Sequence, residues 1–308
     1  MKIVSLLPSA TEIVYALGLG DSLVGVTDEC DFPADAVTRP VVSRSALPQG
    51  HLHPSHAIDR AVRDLVEADQ PLYVLDVDLI RREQPDVILT QDLCRVCAVP
   101  SGQVQTALEQ LGLDRNTNVI SLDPHTLGDV IAQLEVVGKQ LDREERGHEL
   151  AASLRERVTA VKDTARRLPT VGVFCLEWWQ PPMVAGHWIP EMVEAVGATN
   201  LLNDKGARSV EITHRAIRDA NPEVIIFMPC GYYLEEAEDE GRAVVAHPEI
   251  ADTPAVRNGN VFAVDATSFF SRPGPRLVDG LEILAWAAHP EAYREPPPGA
   301  IAALRTGR

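Results

Sequence analysis

The sequence predicts an α/β fold in which two similar lobes, each built on a mostly parallel sheet, are joined by a long helix. Short apolar strands alternate with amphipathic helices in both halves of the chain. The intervening stretch 127–167 is rich in charge, has a helical pattern and contains no strand candidate. A short pattern also repeats: RREQPDVILT at 81–90 and RDANPEVIIF at 218–227 both read as a helix end, a proline, an acid and a buried strand.

The first half opens with a strand at 2–7 and a helix that ends near Gly18. Ser9 and Glu12 fit a capping box, so Ser9 is the predicted N-cap of this helix. The alternation then predicts strands at 23–27, 72–75, 86–90 and 118–122, and helices at 55–68, 78–84 and 101–111.

The second half resumes the alternation after Pro169. Its predicted strands are 170–176, 223–228 and 260–264, and its predicted helices are 188–196, 234–246 and 276–288. The Pro-rich tail EPPPGAIAALRTGR is expected to be loosely ordered. The predicted domains are an N-terminal lobe at 1–140, a connecting helix at 141–168 and a C-terminal lobe at 169–308.

The composition of the chain disfavours several classes of function. The 308 residues carry a formal charge of −17, which disfavours a nucleic-acid partner because phosphate binding requires clustered Lys and Arg. No apolar run approaches the roughly 18 residues that span a bilayer. The N-terminus MKIVSLLPSATE has no signal-peptide pattern, so we expect a cytoplasmic protein, or a periplasmic or extracellular one if a signal was removed.

Two cysteines lie in QDLCRVCAVP, directly after the strand at 86–90. Cys94 and Cys97 have the spacing of a redox pair or of half a zinc site. The predicted helix begins only at Ser101, however, and no second CxxC supplies further zinc ligands. We interpret both thiols as part of a ligand-binding wall, with redox and zinc chemistry left open. The three histidines of HLHPSH (51–56) are interpreted as a solvated loop in preference to a metal site.

Aromatic residues concentrate after strand ends in the second half, where packing alone gives little reason for them. A large flat ligand would use such a set, with a few polar groups for orientation. The candidate ligand-binding residues of this half are Glu177, Trp178, Trp179, His187, Trp188, Tyr232, Phe269, Phe270 and Arg272. No catalytic motif is present, so no catalytic residue and no metal ligand is assigned.

Several of these segments carry a family resemblance that covers almost the whole chain. LLPSATEIVYALGLGDSLVGVT, QPDVIL, the central helix and GNVFAVD resemble the class III substrate-binding proteins of ABC importers, and QDLCRVCAVP, VAGHWIPEMVE, MPCGYY and FFSRPGPRLVDGLEILAW resemble a subgroup near the cobalamin-binding branch. The resemblance implies two Rossmann-like lobes, one rigid connecting helix, and a ligand held in the cleft between the lobes. By position, Phe269 matches a cobalamin-stacking tryptophan, and Pro181-Pro182 matches part of the C-lobe wall.

The sequence departs from that family at several places. Aromatic residues expected near Glu29 and near Ser45 or Leu47 are absent, and a transporter-docking glutamate falls near Gly102. Residues 51–78 resemble an insertion. The other docking carboxylate is expected among Glu235, Glu236 and Glu238.

Together these observations predict a non-enzymatic binding protein for a corrinoid, with cobalamin as the expected ligand. It would serve as an intracellular carrier or as the substrate-binding component of an ABC importer, with the permease as partner. His187 is a candidate axial ligand or hydrogen-bond donor, and Arg272 is expected to pair with a polar group of the ligand. The alternatives are a haem or metal-siderophore carrier, a thiol-dependent enzyme using Cys94 and Cys97, and a zinc protein.

Overall fold

A computed structural model describes residues 1–47, 54–93, 99–113 and 116–305. These residues group into two compact units. The first contains 1–47, 57–93, 99–113, 116–124 and 132–151, and the second contains 54–56, 125–131 and 152–305. The predicted two-lobe α/β architecture is confirmed. The predicted boundaries at 140 and 168 stay a prediction.

The first unit is built on a sheet that has the order β4-β3-β2-β1-β5-β6 in the described residues. Its strands are β1 (Ile3–Ser5), β2 (Leu23–Thr27), β3 (Val41–Ser45), β4 (Tyr73–Leu75), β5 (Val87–Thr90) and β6 (Asn118–Ser121). The surrounding helices are α1 (Pro8–Ala16), α2 (Ser55–Glu67), α3 (Val77–Glu83) and α4 (Ser101–Leu111). All pairings are parallel except that of β3 with β4. The central strands β1 and β5 are buried throughout, as their continuous apolar sequences predict.

Two helices follow, α5 (Leu127–Gln140) and α6 (Glu144–Ala165). The helical character predicted for 127–167 is correct, but the helix is interrupted at 141–143, where Asp142 has a φ of 56°. A Cβ added to Gly138 would lie only 3.0 Å from the Cα of Gly147. These two glycines therefore allow the end of α5 and the start of α6 to pack closely.

The second unit is built on a sheet of order β10-β8-β7-β11-β12-β13, with β9 paired to β7, within the described ranges. Its strands are β7 (Gly172–Trp178), β8 (Met183–Val184), β9 (Thr199–Asn200), β10 (Val210–Glu211), β11 (Val224–Phe227), β12 (Val261–Val264) and β13 (Ile301–Ala303). Its helices are α7 (Ile189–Ala195), α8 (His214–Ala220), α9 (Leu234–Ala246), α10 (Pro254–Asn258), α11 (Ala266–Phe269) and α12 (Leu277–Ala288). The core strands β7, β11 and β12 are parallel neighbours.

The repeated proline-acid pattern has the same structure in both units. Helices α3 and α8 are followed by the C-cap residues Gln84 and Asn221, both in the left-handed conformation. A proline and a buried strand come next in each case. The acid after each proline accepts a backbone hydrogen bond from the start of the neighbouring strand. Lys2 N donates to Asp86 Oδ2 and Gly172 N donates to Glu223 Oε2, each at 2.7 Å.

Two local predictions are wrong. Helix α1 begins at Pro8 and not after Ser9; its N-cap is Leu7, which makes no side-chain cap bond. Proline suits the first helical position because its φ is already helical and it has no N–H to satisfy. The tail is not loose where described: β13 pairs antiparallel with β12, joining Ile301 to Val264.

Arg157 on α6 is the centre of a small ion-pair network with α12. Its guanidinium lies 2.6 Å from Asp279 and 2.8 Å from Glu282. We expect Arg157→Ala to lower the free energy of unfolding by about 1 kcal/mol, because partly exposed pairs contribute modestly. Urea denaturation measures this loss. Arg166→Ala is the matched control, since Arg166, just after α6, makes an exposed pair with Asp163 of that helix and should change stability little. Equal losses in the two variants would contradict the prediction.

Within the described ranges, no helix is both long enough and apolar enough to cross a bilayer.

Candidate functional site

The carboxyl ends of three parallel strands in the second unit carry the predicted aromatic residues. Strand β11 lies between β7 and β12, with Phe227 aligned to Leu176 on one side and to Ala263 on the other. Ligands of open α/β sheets bind at such ends. We use the term aromatic face for the residues that follow or end these strands and for the tryptophan that contacts them: Trp178, Trp188, Tyr232, Phe269 and Phe270.

Two contacts join four members of the aromatic face in pairs. The rings of Trp178 and Tyr232 meet edge to face at a centroid distance of 5.6 Å. The Nε1 of Trp188 donates to the carbonyl oxygen of Phe270 at 2.8 Å. Trp178 and Phe269 remain partly exposed, whereas the other three side chains are buried. The structure thus supplies two partly accessible rings after neighbouring strands, of which that of Trp178 packs on the buried ring of Tyr232.

Trp179 points into a different environment from Trp178. Its side chain is buried and packs edge-on against two imidazoles, His214 at 4.7 Å and His247 at 5.5 Å between ring centroids. The two imidazoles are themselves stacked at 4.1 Å. The structure therefore places Trp179 in a Trp–His–His cluster beside the aromatic face. Sequence reasoning missed both histidines, because neither lies in a motif.

Glu177 on β7 is held by two donors. The Oγ of Ser209 donates to its Oε2 at 2.6 Å, and the backbone N–H of Gly186 also bonds its carboxyl group. Burial raises the pKa of Glu177, and these two hydrogen bonds only partly oppose the rise. Glu177 is thus a buried, oriented carboxyl that directly precedes Trp178 in β7. Ser209 carries no sequence signal that singles it out.

His187 precedes the aromatic face with a φ of 54°, which is uncommon outside glycine. Its ring lies 5.6 Å from that of Trp188 and 6.3 Å from that of His125. Its buried Nε2 has no hydrogen-bond partner among the described residues. Burial lowers the pKa of His187, and His125 and Arg208 lower it further. The imidazole is therefore kept neutral and able to accept or ligate.

A second arginine, Arg276, contacts Phe269, while the role predicted for Arg272 stays a prediction. Arg272 is buried and already engaged in interactions. The guanidinium of Arg276 instead lies over the ring of Phe269, 5.9 Å from its centroid. The segment SRPGPR contains both arginines, and sequence alone gave no way to choose between them.

The remaining predicted site residues, Cys94 and Cys97, lie outside the described residues. Both flanks of their segment are held in the first unit. Asp92 accepts hydrogen bonds from the backbone N and the Oγ of Ser101, at 2.9 and 2.5 Å, and Thr90 Oγ1 donates to the carbonyl of Val99. In the described part of the chain, no three His, Cys, Asp or Glu side chains are grouped to hold a metal.

Comparison with known proteins identifies the family. The family described as periplasmic binding protein matches residues 3–267. The chain belongs to this family. Periplasmic binding proteins of this kind are the substrate-binding components of ABC importers and not enzymes. The predicted family membership is therefore confirmed.

Two relatives of this periplasmic binding protein cover most of its length. An uncharacterized ABC transporter substrate-binding lipoprotein of Bacillus subtilis is 24% identical over 301 residues, which is 96% of this chain and 82% of the relative. A vitamin B12-binding protein of Vibrio parahaemolyticus is 25% identical over 282 residues, which is 91% of this chain and 86% of the relative.

Solved structures share the fold. A periplasmic heme binding protein from Pseudomonas aeruginosa superposes with a TM-score of 0.72 at 22% identity, covering 99% of both chains. The periplasmic vitamin B12 binding protein BtuF of Vibrio cholerae superposes with a TM-score of 0.67 at 24% identity, covering 93% of this chain and 96% of the other. These likenesses establish the architecture of the protein and leave its ligand to the chemistry of the site.

Proposed function

We propose that this protein binds a corrinoid, with cobalamin as the expected ligand, at the aromatic face of the second unit. The observation that carries the proposal is the grouping of Trp178, Tyr232 and Phe269 after three adjacent parallel strands. A corrin is a large, nearly flat ring system with apolar faces and amide side chains. The exposed rings of Trp178 and Phe269 fit its faces, and the oriented carboxyl of Glu177 fits an amide.

One of the relatives supports this choice of ligand. A protein named for vitamin B12 binding aligns over 91% of the chain. The cobalamin-stacking position carried over from the family resemblance falls on Phe269, where Arg276 packs over the ring. We propose that Arg276 supports this ring from one side while the ligand contacts it from another.

The test is a titration of the purified protein with cyanocobalamin and, separately, with hemin, followed by visible absorbance and calorimetry. We expect one cobalamin per chain with a Kd in the micromolar range or tighter. Trp178→Ala should weaken binding about tenfold, which corresponds to about 1.4 kcal/mol for the loss of one aromatic contact. Trp286→Phe is the control, because Trp286 of α12 packs on Phe262 of β12, outside the aromatic face. No binding of cobalamin at micromolar concentrations overturns the proposal.

A haem or other metal-chelate ligand is the second candidate, favoured by His187. Its neutral imidazole with an unpartnered buried Nε2 is the kind of group that ligates iron. In that case hemin binds in preference to cobalamin, and His187→Ala removes the Soret shift that accompanies ligation. The thiol-enzyme and zinc alternatives depend on Cys94 and Cys97. They predict turnover, or retained zinc, that disappears in Cys94→Ser.

The partner that we propose is the permease of an ABC importer, as for the family. Of the three predicted docking carboxylates on α9, Glu236 accepts a hydrogen bond from the backbone N of Tyr233 at 2.8 Å. Glu235, exposed in the first turn, is the better docking candidate. Members of this family are periplasmic or lipoprotein-type binding proteins. The predicted cytoplasmic location and the role as an intracellular carrier stay predictions.

A further inference from the structure

Ser55, in the HLHPSH segment, belongs to the second unit and is fully buried there. Its backbone N and its Oγ both donate to the Oε1 of Glu240 on α9, at 2.9 and 2.6 Å. The same Oγ accepts a hydrogen bond from the backbone N of Gln180 at 3.0 Å. The Ser55 side chain is therefore a donor and an acceptor at once, which only a hydroxyl allows here.

Both hydrogen-bond partners of the Ser55 hydroxyl are connected to the aromatic face. Gln180 directly follows Trp178 and Trp179, so its N–H fixes the backbone that carries these rings. Glu240 also interacts with the phenol of Tyr232, where its negative charge adds to burial in raising the pKa of that phenol. Tyr232 in turn packs on Trp178. One carboxylate and one hydroxyl thus act on both partners of an aromatic pair.

We propose that Ser55 and Glu240 are positioning residues that hold the Trp178–Tyr232 pair in its binding geometry. This inference rests on the proposed function, because it assigns the pair to ligand binding. It also gives a role to the segment at 51–78, which the family resemblance marks as an insertion. Within that segment, Ser55 supplies the hydroxyl that bonds both Glu240 and the backbone N of Gln180.

A simpler role for the pair is helix capping. Ser55 is the first residue of α2, and Glu240 satisfies one of the free N–H groups at the start of that helix. A capping role alone predicts that removing the hydroxyl only weakens α2. A positioning role predicts a specific loss at Gln180 and at the ligand. The two roles are therefore separable by measuring those two places.

The experiment compares the full-length wild type with Ser55→Ala, Ser55→Thr, Glu240→Gln and a capping control. The control is Asp76→Ala, because Asp76 caps α3 through Leu79 N at 2.8 Å and does not touch the aromatic face. The first readout needs no ligand: it is the hydrogen exchange rate of the Gln180 amide. We expect Ser55→Ala to accelerate it about tenfold, with Ser55→Thr near wild type.

The second readout is the affinity for cyanocobalamin. We expect Ser55→Ala and Glu240→Gln to weaken it about tenfold and Asp76→Ala to leave it unchanged. Gln180 exchange that responds equally to Ser55→Ala and Asp76→Ala overturns the inference, as does unchanged affinity in both site variants. A wild type that binds no cobalamin overturns the proposed function, while the exchange measurement still decides whether Ser55 holds Gln180. If Ser55→Ala does not fold, Glu240→Gln supplies the affinity comparison, and an affinity unchanged in Glu240→Gln then overturns the inference.

Discussion

Replacing Gly280 with alanine is expected to destabilise the protein by about 2–3 kcal/mol and to weaken cobalamin binding at least about tenfold. Gly280 lies on α12, where a Cβ would press into the carbonyl oxygen of Phe269 and stand 3.0 Å from its carbonyl carbon. These are backbone atoms, which cannot rotate away. Either α12 or the Phe269–Phe270 segment must therefore shift, and the carbonyl of Phe270 that accepts from Trp188 shifts with it.

Urea denaturation and a cyanocobalamin titration measure the two effects of Gly280→Ala. Gly102→Ala is the matched control, because Gly102 lies within α4 with open space around its Cα. Alanine is the better helix former by up to about 1 kcal/mol, so the control should be neutral or slightly more stable. A Gly280→Ala protein that is as stable as wild type would falsify the predicted close contact.

Acidification is expected to lower stability through the Trp–His–His cluster. Burial lowers the pKa of His214, and the stacked His247 lowers it further, while Glu249 opposes the shift. Glu249 is itself paired with Arg218 at 2.5 Å, and its backbone N donates to Nδ1 of His247. Because the pKa of His214 is lower in the folded state, the unfolded chain takes up the proton first as the pH falls below about 6.5. The stability due to the neutral ring is then progressively lost.

The variant His214→Phe isolates this contribution, because phenylalanine keeps a flat ring beside Trp179 but cannot be protonated. Comparing unfolding free energies at pH 7.5 and 5.5, we expect the variant to lose up to about 1.4 kcal/mol less than wild type. The variant must be compared with wild type at both pH values, because Glu177 and Asp28 have the opposite effect on how stability depends on pH. Burial raises the pKa of both carboxyls, so they favour the folded state as the pH falls.

The control for this pH effect is His148→Phe, since His148 is mostly exposed on α6. It should keep the wild-type response to pH. Equal pH responses in wild type and His214→Phe would contradict the lowered pKa of His214. The fluorescence of Trp179, which contacts both imidazoles, is expected to change over the same pH range in wild type and in His148→Phe but not in His214→Phe.

Much of the fold could be predicted because the core elements carry local signals. Strand β2 and helices α4 and α9 have their predicted bounds, since apolar periodicity and flanking breakers determine them. The capping box failed because two start signals overlap, and Pro8 takes the first helical position ahead of Ser9. Strand β13 was missed because its stability comes from pairing with β12, which no feature of a Pro-rich tail reveals.

The candidate site was predictable in kind but not in detail. The aromatic residues that follow strand ends indicate a ligand-binding surface from the sequence alone. The separation of Trp179 from Trp178 was not predictable, since it depends on imidazoles supplied by α8 and the end of α9. The bond of Ser55 to Glu240 joins residues 185 positions apart, and no local pattern encodes such a contact.

The repeated proline-acid pattern also bears on how the two sheets assemble. Parallel pairing requires distant strands to meet start to start, and nothing in two apolar segments distinguishes that orientation from the reverse. The carboxylates of Asp86 and Glu223 provide a marker of polarity, because each bonds the first residues of a strand 84 or 51 positions earlier. Each lobe thus contains an acidic side chain that binds the start of one neighbouring strand. In each sheet, one acidic side chain therefore favours the parallel orientation of one central strand pair over the reverse.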